Sequence, residues 1–136
     1  MEKFVFDVFR FANNFVIWEC VREDEFAPLK NADGASDFTP THCKNALFAL
    51  HQKYLLNAGA KMADSDGNRV SQMVSPAAPK ENNNNNNDKK SEEIVVVCEL
   101  SPSVTYAGEG LAEWVGGKQI TVPADGSNII LPPISQ

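Results

Sequence analysis

Residues Arg22 to Asp33 read R-E-D-E-F-A-P-L-K-N-A-D, and the chain is organised around them. Four charged side chains, Arg22 to Glu25, open the stretch and start it in solvent. Phe26, Pro28 and Leu29 are then expected to fasten it to a core. Pro28 fixes its own φ and biases Ala27 towards an extended shape. Asn31, Asp33 and Gly34 supply turn chemistry directly after Lys30. The expected product is a semi-rigid loop that presents one ammonium at a fixed place. A compact cation on a held loop suits a phosphate. An ordinary solvated lysine on a surface loop fits the same residues.

Outward from this loop, the sequence punctuates itself. Towards the N-terminus, Phe15-Val16-Ile17-Trp18-Glu19-Cys20-Val21 is β-branched and aromatic and predicts a buried strand. Before it, residues 3–6 are expected to be extended, which would put the Phe4 and Phe6 rings on one side. A helix is expected from Asp7, its N-cap, to Asn13-Asn14. Beyond the loop, Thr39 as N-cap and Pro40 at the first helical position open the best helix of the chain, and Gly59 closes it. Cys43, Leu47, Leu50 and Tyr54, with Ala46 beside them, are its expected apolar face. Asp64 to Asn68 is a turn between short strand-like pieces. Residues 76–92, centred on six asparagines, are expected to form a disordered insert. Strands are then expected over 94–100, 104–106, 118–122 and 128–131, with one or two helical turns over 111–115 ended by Gly116-Gly117. The reading is α/β in two parts: residues 1–59, then a small β-rich part over 60–136 that carries the insert.

With 136 residues, 43% of them hydrophobic, the chain suits one domain of ordinary size. A net charge of −6 argues against nucleic acid as partner. No apolar run reaches membrane-spanning length, and the start lacks the pattern of a secretory signal. Cys20, Cys43 and Cys98 are odd in number and widely spaced, which suggests a reducing, cytoplasmic setting. His42 and His51 are nine residues apart on opposite sides of a helix and cannot share a metal. Asp64-Ser65-Asp66-Gly67 resembles the start of a calcium loop but lacks the later glutamate, so it reads as a turn. Gly108-Glu109-Gly110 is too short for a dinucleotide fingerprint. Glu23, Asp24 and Glu25 read as a solvated face rather than as acid/base groups, and no serine or cysteine nucleophile signature is present.

Four blocks together carry a resemblance: Glu2-Lys3-Phe4-Val5-Phe6-Asp7-Val8-Phe9, the Arg22–Asp33 loop, Thr39-Pro40-Thr41, and Cys98-Glu99-Leu100-Ser101-Pro102 with Tyr106-Ala107-Gly108-Glu109-Gly110-Leu111. In this order they resemble the eukaryotic UDP-N-acetylglucosamine pyrophosphorylases, across most of the chain outside the asparagine run, and the match is to the C-terminal part of a longer enzyme. The resemblance implies the end of a Rossmann-like nucleotidyltransferase mixed sheet followed by a small β-rich C-terminal domain. It implies uridylyl transfer from UTP to N-acetylglucosamine 1-phosphate, giving UDP-N-acetylglucosamine and pyrophosphate, with Mg²⁺ holding the crowded charge. Lys30 matches the family lysine that contacts the phosphates, and Phe4 and Phe6 match the aromatics beside the N-acetylhexosamine ring. The family's glycine-rich nucleotide loop, uracil-recognition residues and metal-binding carboxylate have no counterpart in this chain. The resemblance therefore implies a chain that is inactive alone and exposes Phe4, Phe9 and Phe15. Two alternatives stay open: a UDP-sugar pyrophosphorylase of broader sugar choice, and a non-catalytic assembly module that keeps the fold. The family also implies subunit contacts through the C-terminal domain, hence a possible homo-oligomer.

Overall fold

The computed structural model describes residues 4–78, 95–125, 127 and 129. Its backbone is one long helix with short elements around it. A 3-10 helix spans Val5–Phe11, α1 Arg22–Glu25, α2 Pro40–Asn57, β1 Lys61–Ala63, α3 Leu111–Val115 and β2 Gln119–Thr121. β1 and β2 pair in parallel, Lys61 opposite Gln119 and Ala63 opposite Thr121. The architecture is α/β. Among the described residues, the strands of the second part, expected to be β-rich, are these two, of three residues each.

Helix α2 forms where the punctuation placed it. Thr39 is extended and its Oγ1 accepts the His42 amide at 3.2 Å. At the other end the Ala60 amide donates to Leu55 O and the Gly59 amide to Leu56 O, both at 3.0 Å. This pair of bonds caps the helix through a left-handed residue, which Gly59 supplies at φ +89°. The buried face differs from the expected one. Ala46, Phe48, Ala49, Gln52 and Leu55 are buried, whereas Leu47 is exposed and Leu50 only half-buried. A polar residue interrupts the true face, so the apolar pattern pointed to its neighbour. Gln52 is fully buried. Its Nε2 donates to Ser71 O at 3.1 Å and its Oε1 accepts the Met73 amide at 2.6 Å.

The core gathers Phe48 and Leu55 of α2, Met62 of β1, Met73, Val96, Cys98 and Leu100, Leu111 and Val115 of α3, and Ile120 of β2. Residues 95–100 alternate exposed and buried as a strand should, but they are not laddered. Val96 donates its amide to Met73 Sδ at 3.2 Å, Leu100 donates its amide to His51 Nδ1 at 3.0 Å, and Val97 O accepts the Ile129 amide at 3.2 Å. The expected strand over 104–106 is a turn, because Thr105 bonds within its own loop to Glu109. The insert from residue 79 onwards, and all but Ile129 of the last expected strand, lie outside the described residues.

The N-terminal region departs most. Phe4 is extended, but the helix begins at Val5 and is a 3-10 helix that buries none of its residues. Asp7 is not its N-cap. It stands a turn inside, and its Oδ2 accepts the Phe4 amide at 3.1 Å. Residues 15–21 form no strand among the described residues; Val16, Ile17 and Trp18 are 91%, 86% and 89% exposed. β propensity is realised only against a neighbouring strand, and no described segment pairs with this one.

Removing Gln52 should leave the buried Met73 amide without a partner and release the Ser71 carbonyl. Gln52→Leu is expected to lower unfolding free energy by about 3 kcal/mol in urea titration. A loss below about 0.5 kcal/mol would mean that the two backbone groups do not depend on this side chain.

Candidate functional site

The Lys30 loop is tied down at both ends and in its middle. α1 precedes it, and Asp24 of α1 meets Lys53 of α2 at 2.6 Å in a half-buried ion pair. Cys43 Sγ lies 3.3 Å from Ala27 O and 3.4 Å from Pro28 O, so the thiol donates to the loop just before the lysine. Phe26 and Leu29 do not enter the core as expected. Leu29 is 65% exposed, and Phe26 packs edge-on against Phe38, with ring centres 6.3 Å apart at 88°. The anchor is this aromatic pair.

After the lysine the turn residues act as expected. Asn31 Nδ2 donates to Asp37 O at 2.8 Å, and Asp33 Oδ1 accepts the Thr41 amide at 3.1 Å. The Thr41 amide holds the Asp33 carboxyl below the usual carboxylate range. Both the Lys30 and Asn31 amides donate to Phe38 O, at 2.9 and 3.0 Å. Phe38 accepts both from a left-handed backbone, φ +58°. For a bulky residue this conformation costs about 1–2 kcal/mol.

These bonds decide where an anion could bind. The first turn of α2 has no amide to spare: Pro40 has no N–H, Thr41 donates to Asp33, His42 to Thr39 Oγ1, and Cys43 to Thr39 O. An incoming phosphate would meet the Asp33 carboxylate there, not a free helix end. The exposed Lys30 ammonium, 5.6 Å from the centre of the Phe38 ring, is the cationic donor this loop presents.

Phe4 and Phe6 lie together as expected, although by another backbone. Their rings stack at 5.3 Å and 10°, and both are about half exposed. Phe9 and Phe15 make a second stack at 5.6 Å and 4°. Among the described residues, the Phe4–Phe6 pair and Lys30 share no hydrogen bond or ring contact. His42 and His51 face different partners. His42 Nε2 is 3.6 Å from Asp37 Oδ1, whereas His51 Nδ1 accepts the Leu100 amide and burial pushes its pKa down. Cys20 is exposed; Cys98 is buried, and burial pushes its thiol pKa up to about 12. Sequence reasoning missed Phe38 altogether. Its neighbours in sequence gave no sign that its ring and carbonyl would reach eight residues back.

A second built feature lies over Thr105–Glu109. The Glu109 carboxylate accepts the Tyr106 amide at 2.8 Å, the Ala107 amide at 2.6 Å and the Thr105 hydroxyl at 3.0 Å. These amides, Tyr106 first, hold its pKa down to about 2. Gly108, at φ +94°, lies against the Tyr54 ring, where a Cβ would come within 3.3 Å.

No protein-family model matches the chain. Along nine-tenths of its length the chain is similar to proteins named UDP-N-acetylhexosamine pyrophosphorylase-like protein 1. It is 44% identical over 123 residues to UDP-N-acetylhexosamine pyrophosphorylase-like protein 1 of Mus musculus, covering 90% of this chain and 22% of that protein. The Homo sapiens protein of the same name is 42% identical over 123 residues, with the same coverage. UDP-N-acetylglucosamine diphosphorylase 2 of Arabidopsis thaliana is 27% identical over 125 residues, covering 92% of this chain and 20% of that one. The resemblance met in the sequence is borne out. The chain spans about a fifth of the length of these relatives.

The Glu109 clamp makes a pH prediction. Its folded pKa, about 2, lies below the ordinary value of 4.5, so the clamp contributes stability above pH 4.5 that is lost as pH falls towards 2. Asp33 and Asp64 are shifted the same way and share the acid loss. Urea midpoints measured from pH 6 to pH 2 should therefore fall less steeply in Glu109→Gln than in the parent. Parallel curves would remove the clamp from the account.

Proposed function

We propose that this chain is the sugar-facing wall and phosphate-facing lysine loop of a UDP-N-acetylglucosamine pyrophosphorylase, drawn from the C-terminal portion of that enzyme. The reaction is uridylyl transfer: a phosphate oxygen of N-acetylglucosamine 1-phosphate attacks the α-phosphorus of UTP in line. Pyrophosphate leaves with the bonding electron pair, and UDP-N-acetylglucosamine is formed. The observation that carries the reading is the lysine loop. Three separate ties hold it, to Cys43, Asp37 and Phe38, while its one ammonium stays in solvent.

In this reading Lys30 faces the phosphates and offsets charge that builds during the transfer. Phe4 and Phe6, stacked with their outer surfaces open, pack against the sugar face and acetyl methyl. Residues 1–59 close the nucleotidyltransferase domain and 60–136 form the small C-terminal domain, with α2 as the seam. Magnesium belongs to the reaction as the family expectation, but no group of three or more His, Cys, Asp or Glu side chains among the described residues is placed to hold an ion. No described helix is long and apolar enough to cross a membrane, and the proposed setting is cytoplasmic. Association into a homo-oligomer through 60–136 belongs to the same proposal.

The test is turnover of the full-length polypeptide that carries this segment. Lys30→Ala is expected to cut pyrophosphate release about 100-fold with its far-ultraviolet circular dichroism unchanged, and Lys30→Arg to recover part of the loss. Unchanged turnover in Lys30→Ala would overturn the assignment. The 136-residue chain by itself, given UTP, Mg²⁺ and sugar phosphate, is expected to release no pyrophosphate.

A further inference from the structure

Seven described residues have positive φ: Gly34, Gly59, Gly67, Gly108, Gly110, Gly117 and Phe38. Six are glycines, the residue such a backbone favours. The seventh is a large aromatic, the kind of side chain that resists it most. Glycine is not foreign to this loop, since Gly34 stands four residues earlier. A turn alone would be easier with glycine or asparagine at 38. A phenylalanine there indicates that the ring has a use that outweighs the strain.

Two contacts show what the ring does. Phe26 meets it edge-on at 6.3 Å, and Lys30 Nζ lies 5.6 Å from its centre. Arg22 lies 4.2 Å from the centre of the Phe26 ring. The order is cation, ring, ring, cation, so the aromatic pair sits between Arg22 and Lys30. The backbone adds a second hold on the same residue, because Phe38 O accepts the amides of Lys30 and Asn31.

We propose that Phe38 is the positioning residue of Lys30: its left-handed backbone aims one carbonyl at the Lys30 and Asn31 amides while its ring lies beside the Lys30 ammonium. The inference rests on the reading of Lys30 as the phosphate-facing group and deepens it. The ring fixes the direction of a flexible four-carbon side chain, which a hydrogen-bonded backbone alone does not do.

Three variants separate the two holds. Phe38→Asn tolerates the left-handed backbone but has no ring, Phe38→Val opposes that backbone, and Phe38→Tyr keeps the ring. In the chain studied by NMR, hydrogen exchange at the Lys30 and Asn31 amides should accelerate about tenfold in Phe38→Val and stay near the parent rate in Phe38→Asn and Phe38→Tyr. The ring-current shift of the Lys30 ε-methylene protons should vanish in Phe38→Asn and persist in Phe38→Tyr. Equal exchange rates in all variants, or a ring shift that survives Phe38→Asn, would overturn the proposal. In the full-length polypeptide, Phe38→Asn should lower turnover about fivefold and add nothing to Lys30→Ala. A double variant that multiplies the two losses would mean that Phe38 acts independently of Lys30, which also overturns it. Unchanged turnover in Lys30→Ala overturns instead the reading of Lys30, and the exchange and ring-shift measurements then decide the placement by themselves.

Discussion

The buried Gln52 amide joins α2 to residues 71–73, and it shows how the rest of this fold is held. Extended segments normally satisfy their backbone against neighbouring strands. Here the described ladder is two strands of three residues, so much of the work passes to side chains. Gln52 takes Ser71 O and the Met73 amide, His51 takes the Leu100 amide, and Met73 Sδ takes the Val96 amide. Two of these three side chains belong to adjacent positions of α2. The helix therefore supplies both apolar cover, through Phe48 and Leu55, and polar partners for segments that lie across it. Each such bond is buried or half-buried, where an unmade bond is costly, so α2 fixes the placement of segments far from it in sequence.

That division of labour also marks what could be read in the sequence. Local signals held. Thr39, Pro40 and Gly59 bounded α2, Gly116 followed α3, and Asp64 organised its turn by accepting the Asp66 and Asn68 amides. Each of these is decided within a few residues. Signals that needed a partner failed. Residues 15–21 have strand composition but no described neighbour to pair with, and 95–100 alternate correctly yet bond to side chains. The face of α2 was misplaced for a related reason: Gln52 looks polar in sequence and is buried because its two bonds are made elsewhere in the chain.

The candidate site divides along the same line. Asn31, Asp33 and Gly34 announced a turn after Lys30, and the turn exists. Phe38 announced nothing. Its role depends on a backbone angle that phenylalanine disfavours and on a ring contact reaching eight residues back to Lys30. Propensity rules read the preferred state of a residue, so they are silent where the surroundings hold it in another.

Beyond the Phe26–Phe38 edge contact, apolar burial does little to hold this loop; Leu29 is 65% exposed and Phe26 is more than one-third exposed. Fastening it largely through a thiol, two carboxylates and two carbonyls has a consequence for the proposed function. A lysine set into a packed apolar surface would lose hydration and with it part of its preference for the charged form. Polar ties hold the loop and leave the ammonium in water, with the Phe38 ring beside it. The α2 start completes the arrangement, since Asp33 and Thr39 occupy the amides that could compete for an anion. Charge is then concentrated on one side chain, which suits the proposed phosphate contact better than a saturated helix end would.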